Sequence, residues 1–179
     1  KPSTRLEWRS FGLFSSFIVA LFVEMYGFPF TIYVLASWLG NNYPAANPFS
    51  HESGHLLGIF FGIRSDHGTV LHLLSNIMLI GGALLIANGW GAVHRGQGQL
   101  ITDGLYKYVR HPQYVGFISV IVGFLIQWPT LITLVMAPIL TFRYIRLAKK
   151  EEGDMLRQFP REYGEYMKRV PAWIPKINF

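Results

Sequence analysis

The chain has 179 residues, 51% of them hydrophobic and 15% charged, with a formal net charge of +6 and no cysteine. Apolar residues gathered in long runs at so low a charge content describe an integral membrane protein, not a soluble domain. Disulfides and thiolate metal sites are excluded, and the positive charge comes without the basic-aromatic stripe or zinc-finger spacing that nucleic acid requires.

The length predicts one membrane domain over 1–179, with N-terminal spans in 11–90. Phe11 to about Leu39 reads as the first span, apolar apart from Glu24, with Gly27 and Pro29 placed to kink it. It exceeds the ~20 residues a crossing needs, so tilting or bending is expected. It also lacks an Ala-x-Ala-like exit, so no cleavable signal peptide is expected. Glu24 is a carboxylate inside a span, which marks either a functional group or a bond to a neighbouring helix.

The next loop contains His51-Glu52-Ser53-Gly54-His55, a match to H-E-x-x-H, in which two histidines one turn apart hold zinc and the glutamate activates water. An intramembrane zinc metalloprotease is therefore a competing reading, and His51, His55, His67 and His72 together could hold a divalent metal without catalysis. Against both, Pro44 and Pro48 precede the motif, no residue stands out as third ligand, and histidines of a polar loop bond locally. No metal site is assigned.

Thr69 to Trp90 is the second span. Tyr114 to Gln127 and Thr130 to Leu147 are two shorter arms joined at Trp128-Pro129, which predicts a C-terminal helical hairpin. About four transmembrane helices result, in an all-α fold. The tail from Glu151 to Met167 has helical spacing, with Met155, Leu156, Phe159, Tyr163 and Tyr166 on one stripe, and Pro160 divides it into two short helices. Val170 to Pro175 reads as extended. Of sixteen Lys and Arg residues, nine follow from Arg143 onward, and the N-terminus and the loop after the second span hold six more. With four crossings these basic regions share one side, which the positive-inside rule makes cytoplasmic, with both termini there. A bacterial inner membrane is the expected setting.

A site emerges where the third span begins. Pro112 after His111 sets a turn and helix start, whose N-terminus favours a carboxylate-bearing ligand. His111 and Tyr114, three apart, share a face. The same residues also suit an interfacial aromatic cluster. Glu151 and Glu152 follow Lys149 and Lys150 where the last arm emerges, as a solvated helix end or as carboxylates turned inward.

The segment Gln99 to Pro175 resembles the isoprenylcysteine carboxyl methyltransferase family, whose wider group includes membrane phospholipid methyltransferases. The resemblance rests on Leu100 to Tyr106, Arg110-His111-Pro112-Gln113-Tyr114-Val115-Gly116, the Glu151-Glu152 pair, Phe159 to Tyr166, and Val170-Pro171. It implies S-adenosylmethionine as cofactor, bound in residues 99–175 at the cytoplasmic face under the C-terminal tail. The implied cofactor-binding residues are Gln99, Leu100, Ile101, Tyr106, His111, Pro112, Gln113, Tyr114, Glu151 and Glu152. The family's acceptor-holding Arg, one turn before the Glu pair, falls on Leu147 here. Arg143 and Arg146 therefore stand with Glu151 as candidates for the catalytic end. The implied partners are membrane lipids and a small-molecule, prenylated or lipid-like methyl acceptor. A membrane reductase using NADPH is a further reading of similar architecture, though no 2′-phosphate clamp is identifiable. The Gly89 and Gly96 regions form no Rossmann fingerprint. Oligomeric state is not readable.

Overall fold

The computed structural model describes residues 5–27, 29–42, 55–62, 70–96 and 98–175. Among them every regular element is helical and no strand occurs. The elements are α1 (Arg5–Phe22), a π-helical turn (Val23–Gly27), α2 (Phe30–Leu39), α3 (Leu56–Phe61), α4 (Val70–Gly96), α5 (Pro112–Gln127), α6 (Leu131–Gln158) and α7 (Pro160–Arg169). Three described helices are long and apolar enough to cross a membrane, those at Trp8–Gly27, Val70–Gly96 and Leu131–Gln158, and Pro112–Gln127 is a shorter apolar one. Along α4, Val70, Leu73, Leu74, Ile77, Ile80 and Leu84 are all exposed. An apolar stripe of that size left open is a lipid-facing surface. The architecture is that of an all-α integral membrane protein.

The predicted first span is two helices, not one. α1 ends in a π turn, and Pro29, which lacks an N–H and cannot continue a helix, stands before α2. Glu24, 3% exposed, replaces the cap that Pro29 cannot supply. Its carboxylate accepts the Thr31 N–H at 3.0 Å and the Thr31 hydroxyl at 2.8 Å. Thr31 Oγ1 then accepts the Leu131 N–H at 2.8 Å, so one buried chain satisfies the starts of α2 and α6 together. Glu24 is thus the helix-bonding carboxylate of the two expected alternatives. The other reciprocal cap at α6 is Thr130 with Thr133, each hydroxyl accepting the other's backbone N–H at 3.1 and 3.0 Å.

The hairpin lies where the apolar pattern placed it, but its second arm does not stop at Leu147. α6 runs on through Lys149-Lys150-Glu151-Glu152 to Gln158. The reason is local: these are good helix formers, and a helix needs apolar residues only where it meets lipid. The predicted two short tail helices are therefore the polar end of α6 and a separate α7, begun by Pro160 at its first turn.

The chain forms two compact units, one of residues 1–79 and 121–140, the other of 80–120 and 141–179. The first buries Phe17, Leu21, Ile32 and Ile121 around the capping chain. In the second, α4 and α5 meet at glycines: a Cβ on Gly116 would lie 2.6 Å from the Gly82 carbonyl oxygen, and one on Gly82 2.7 Å from that of Gly116. Only hydrogen atoms at these positions permit that crossing. Beside it Phe117 stacks on Tyr144 with ring centres 5.4 Å apart, and Tyr114 and Trp90 close the aromatic group.

Candidate functional site

Within the second unit, the turn before α5 brings His111 and Tyr114 against the polar end of α6. The Tyr114 hydroxyl donates to Glu151 Oε1 at 2.6 Å. The His111 Nε2–H donates to Glu152 Oε1 at 3.0 Å, and its Nδ1 stands 3.8 Å from Glu151 Oε2. Arg110 Nη2 pairs with Glu152 at 3.1 Å. These groups come from positions some forty residues apart, joined by a two-helix excursion into the apolar layer.

The two carboxylates are not equivalent. Glu152 is the more enclosed and meets both Arg110 and His111. The hydrogen bond from His111 holds its carboxyl below the usual carboxylate range, opposed by burial and reinforced by the charges of Arg110 and Lys149. Glu151, with 29% of its side chain exposed, accepts from the Tyr114 phenol on one oxygen and has the His111 ring 3.8 Å from the other. Arg110 pairs with Glu152, and Glu151 is the more exposed carboxylate of the two. A carboxylate in that position can accept from vicinal hydroxyls or face a cation.

A second set of contacts builds the loop that leads into α5. Gly104, at φ 57°, starts the 3₁₀ turn Gly104–Lys107. Its Tyr106 hydroxyl accepts from Gln113 Nε2 at 3.2 Å and lies 3.4 Å from the Gly89 carbonyl. Ile101 packs where a Cβ on Gly96 would be, and the Gln99 N–H bonds Gly96 O at 2.8 Å while its side chain is exposed. Leu100 packs on the buried cluster of Tyr163, Tyr166 and Val170.

Sequence reading missed the partners supplied by the tail. The Arg110 and His111 N–H groups donate to Pro171 O at 2.9 Å and Ala172 O at 3.3 Å, and Trp173 lies 5.7 Å from the His111 ring. Tyr166 donates to the Tyr106 carbonyl at 2.7 Å. The Val-Pro-Ala-Trp run was the available signal, since an extended segment without a repeat of its own needs backbone partners elsewhere. Arg110 too was read only as part of the motif, although it carries the ion pair to Glu152.

Arg143 and Arg146 lie on α6, before the Glu151-Glu152 pair. Both are exposed, and Arg146 lies over the Phe142 ring at 5.0 Å. Of the H-E-x-x-H residues, His51, Glu52, Ser53 and Gly54 lie outside the described residues, as does His67. His55 and His72 are buried with ring centres 5.0 Å apart, and His55 Nδ1 bonds Gln127 O at 2.9 Å. Among the described residues no three His, Asp or Glu side chains stand together as metal ligands.

Residues 72–157 match the model of the isoprenylcysteine carboxyl methyltransferase family. The chain is 33% identical over 81 residues to protein-S-isoprenylcysteine O-methyltransferase B of Arabidopsis thaliana, covering 45% of this chain and 41% of that protein. To the human protein-S-isoprenylcysteine O-methyltransferase it is 35% identical over 80 residues, 44% of this chain and 28% of the relative. To the cobalt-zinc-cadmium resistance protein CzcN of Cupriavidus metallidurans it is 30% identical over 129 residues, 69% of this chain and 59% of that protein. The chain thus spans less than half the length of these two methyltransferases. No solved structure matches significantly. The matched segment runs from α4 into α6 and contains every site residue named above except those of α7 and the strap after it.

Proposed function

We propose that this chain, which carries an isoprenylcysteine carboxyl methyltransferase family region over residues 72–157, is an integral membrane methyltransferase dependent on S-adenosylmethionine. The observation that carries the reading is the pairing of the Arg-His-Pro-x-Tyr turn with Glu151-Glu152, through the 2.6 Å Tyr114–Glu151 bond and the 3.0 Å His111–Glu152 bond. The residues fit the cofactor: Glu151 is a partly exposed carboxylate able to accept from ribose hydroxyls, and Leu100, Ile101 and Tyr106 offer apolar and aromatic surface for an adenine. When bound, S-adenosylmethionine supplies an activated methyl group, which passes to the acceptor's lone pair as the carbon–sulfonium bond breaks and its electrons return to sulfur. The chain's work is then positional. Tyr114 and His111 hold the two carboxylates, aromatic side chains line a site that tolerates positive charge, and the 170–173 strap covers the turn and excludes water.

The acceptor enters from the membrane, since the site stands at the polar end of two apolar helices. A lipophilic, prenylated or small apolar thiol, amine or carboxylate suits that route. Leu147 in place of the acceptor-holding Arg argues against a carboxylate end, and exposed Arg143 and Arg146 are the cations nearest that register. The site faces the cytoplasm by the distribution of basic residues.

Calorimetry on the purified chain in detergent tests the reading. S-adenosylmethionine binds, NADPH and zinc do not displace it, and His111→Ala or Glu151→Ala abolishes the binding while His51→Ala leaves it intact. A folded protein that binds zinc tightly and no S-adenosylmethionine would falsify it. Labelled cofactor added to membranes, followed by mass spectrometry of the methylated product, identifies the acceptor.

A further inference from the structure

We propose that Tyr166 is a positioning residue of the donor site, acting through Tyr106; the inference rests on the methyltransferase reading above. Tyr166 lies on α7, beyond the 72–157 segment that the family match covers. An aromatic stripe at helical spacing needs only apolar burial, but a buried hydroxyl demands a partner. Tyr166 is 3% exposed, and its hydroxyl donates to the Tyr106 carbonyl at 2.7 Å, across sixty residues of sequence.

The bond falls on a short turn. Tyr106 sits in a single 3₁₀ turn whose preceding Asp103 makes no side-chain cap. That turn aims the Tyr106 ring, whose hydroxyl meets Gln113 Nε2 at 3.2 Å and approaches Gly89 O at 3.4 Å. Displacing the Tyr106 backbone therefore displaces a contact set reaching both α4 and α5. The same face of α7, with Tyr163 and Val170, packs Leu100. Two residues proposed to line the donor site, Leu100 and Tyr106, thus take their positions from one helix outside the matched region. Burial raises the Tyr166 hydroxyl to about 12, which keeps it a donor through the neutral range.

The test is donor binding by the full chain in detergent, measured with S-adenosylmethionine and S-adenosylhomocysteine by calorimetry. Tyr166→Phe removes the hydroxyl and keeps the ring, and Kd should rise about tenfold with the melting temperature close to wild type. In a Tyr106→Ala background, which removes the ring that the bond positions, the same change should cost less than about twofold, because the two act as one unit. Tyr108→Phe, on an exposed ring of the same loop, should change nothing. Amide exchange across 103–109 should quicken in Tyr166→Phe without any ligand. Wild-type binding that Tyr166→Phe leaves unchanged, or losses that multiply independently in the double variant, would overturn the positioning role alone. Failure of the wild type to bind either ligand would overturn the methyltransferase reading and this role with it.

Discussion

Glu151 and Glu152 are neighbours in sequence, but one faces a phenol and the other an imidazole and a guanidinium. Helical geometry makes this division possible, since adjacent residues on a helix point about 100° apart, and His111 stands 3.0 Å from Glu152 but 3.8 Å from Glu151. The His111 hydrogen bond keeps the Glu152 carboxyl lower in the folded state than in the unfolded chain. A group depressed by folding contributes stability above its unfolded value and loses it as pH falls through the folded one. Glu152→Gln should therefore melt below wild type at neutral pH by a constant margin. That margin should hold down to the ordinary carboxylate range and narrow below it, as Glu152 in the wild type takes up its proton. A margin that instead grew in acid would mean that His111 and Arg110 do not stabilise the ionised form. The residue scale is also where sequence reading went furthest. His111, Tyr114 and both glutamates are legible in the chain because their motif carries chemistry at fixed spacing, and the fold brings the four side chains together. Tyr166 shares the Phe159–Tyr166 spacing, but its partner and that of Trp173 are not legible, since each lies about sixty residues away.

At the scale of helices, the site depends on how closely α4 and α5 approach, because α5 carries His111 and Tyr114 at its start. The contact is backbone on backbone: a Cβ at Gly116 would meet Gly82 O at 2.6 Å and Ile86 N at 3.1 Å, neither of which can rotate away. Gly116→Ala and Gly82→Ala should each destabilise the protein by about 1–3 kcal/mol as the helices are forced apart. Donor binding should weaken with them. Gly81 is the internal control, as nothing lies within 4 Å of a Cβ placed there. Gly81→Ala should be neutral or slightly stabilising through helix propensity. Thermal unfolding in micelles compares the three, and equal melting of Gly116→Ala and Gly81→Ala would refute the tight crossing. Hydropathy alone could not distinguish these glycines, because small residues look alike until a partner helix is known. It did locate three helices long and apolar enough to cross and the shorter Pro112–Gln127. It could not foresee that α6 continues through four charged residues, or that Glu24 caps a second helix after Pro29.

For the molecule as a whole, charge and apolar length are separate signals that converge on one topology. Unit 80–120 with 141–179 holds twelve Lys and Arg against six Asp and Glu, while 1–79 with 121–140 holds four against four, so the net +6 belongs to the former. Its basic residues flank the proposed site, at Arg95, Lys107 and Arg110 before α5 and from Arg143 onward. The positive-inside rule predicts that these flanks stay in the cytoplasm, and the four-crossing reading predicts that Asn42 lies on the opposite side. The chain offers a clean way to check this, because it contains no cysteine to give background. Tyr108 and Asn42 are both exposed outside the long apolar helices. With a membrane-impermeant maleimide, Tyr108→Cys should react in inside-out vesicles and stay protected in right-side-out ones. Asn42→Cys should show the reverse. Reaction of both from one side would break the four-crossing topology, and reversed labelling of the pair would turn the site to the opposite face. A cytoplasmic donor such as S-adenosylmethionine could not then reach Glu151, so sidedness bears directly on the chemistry proposed for it.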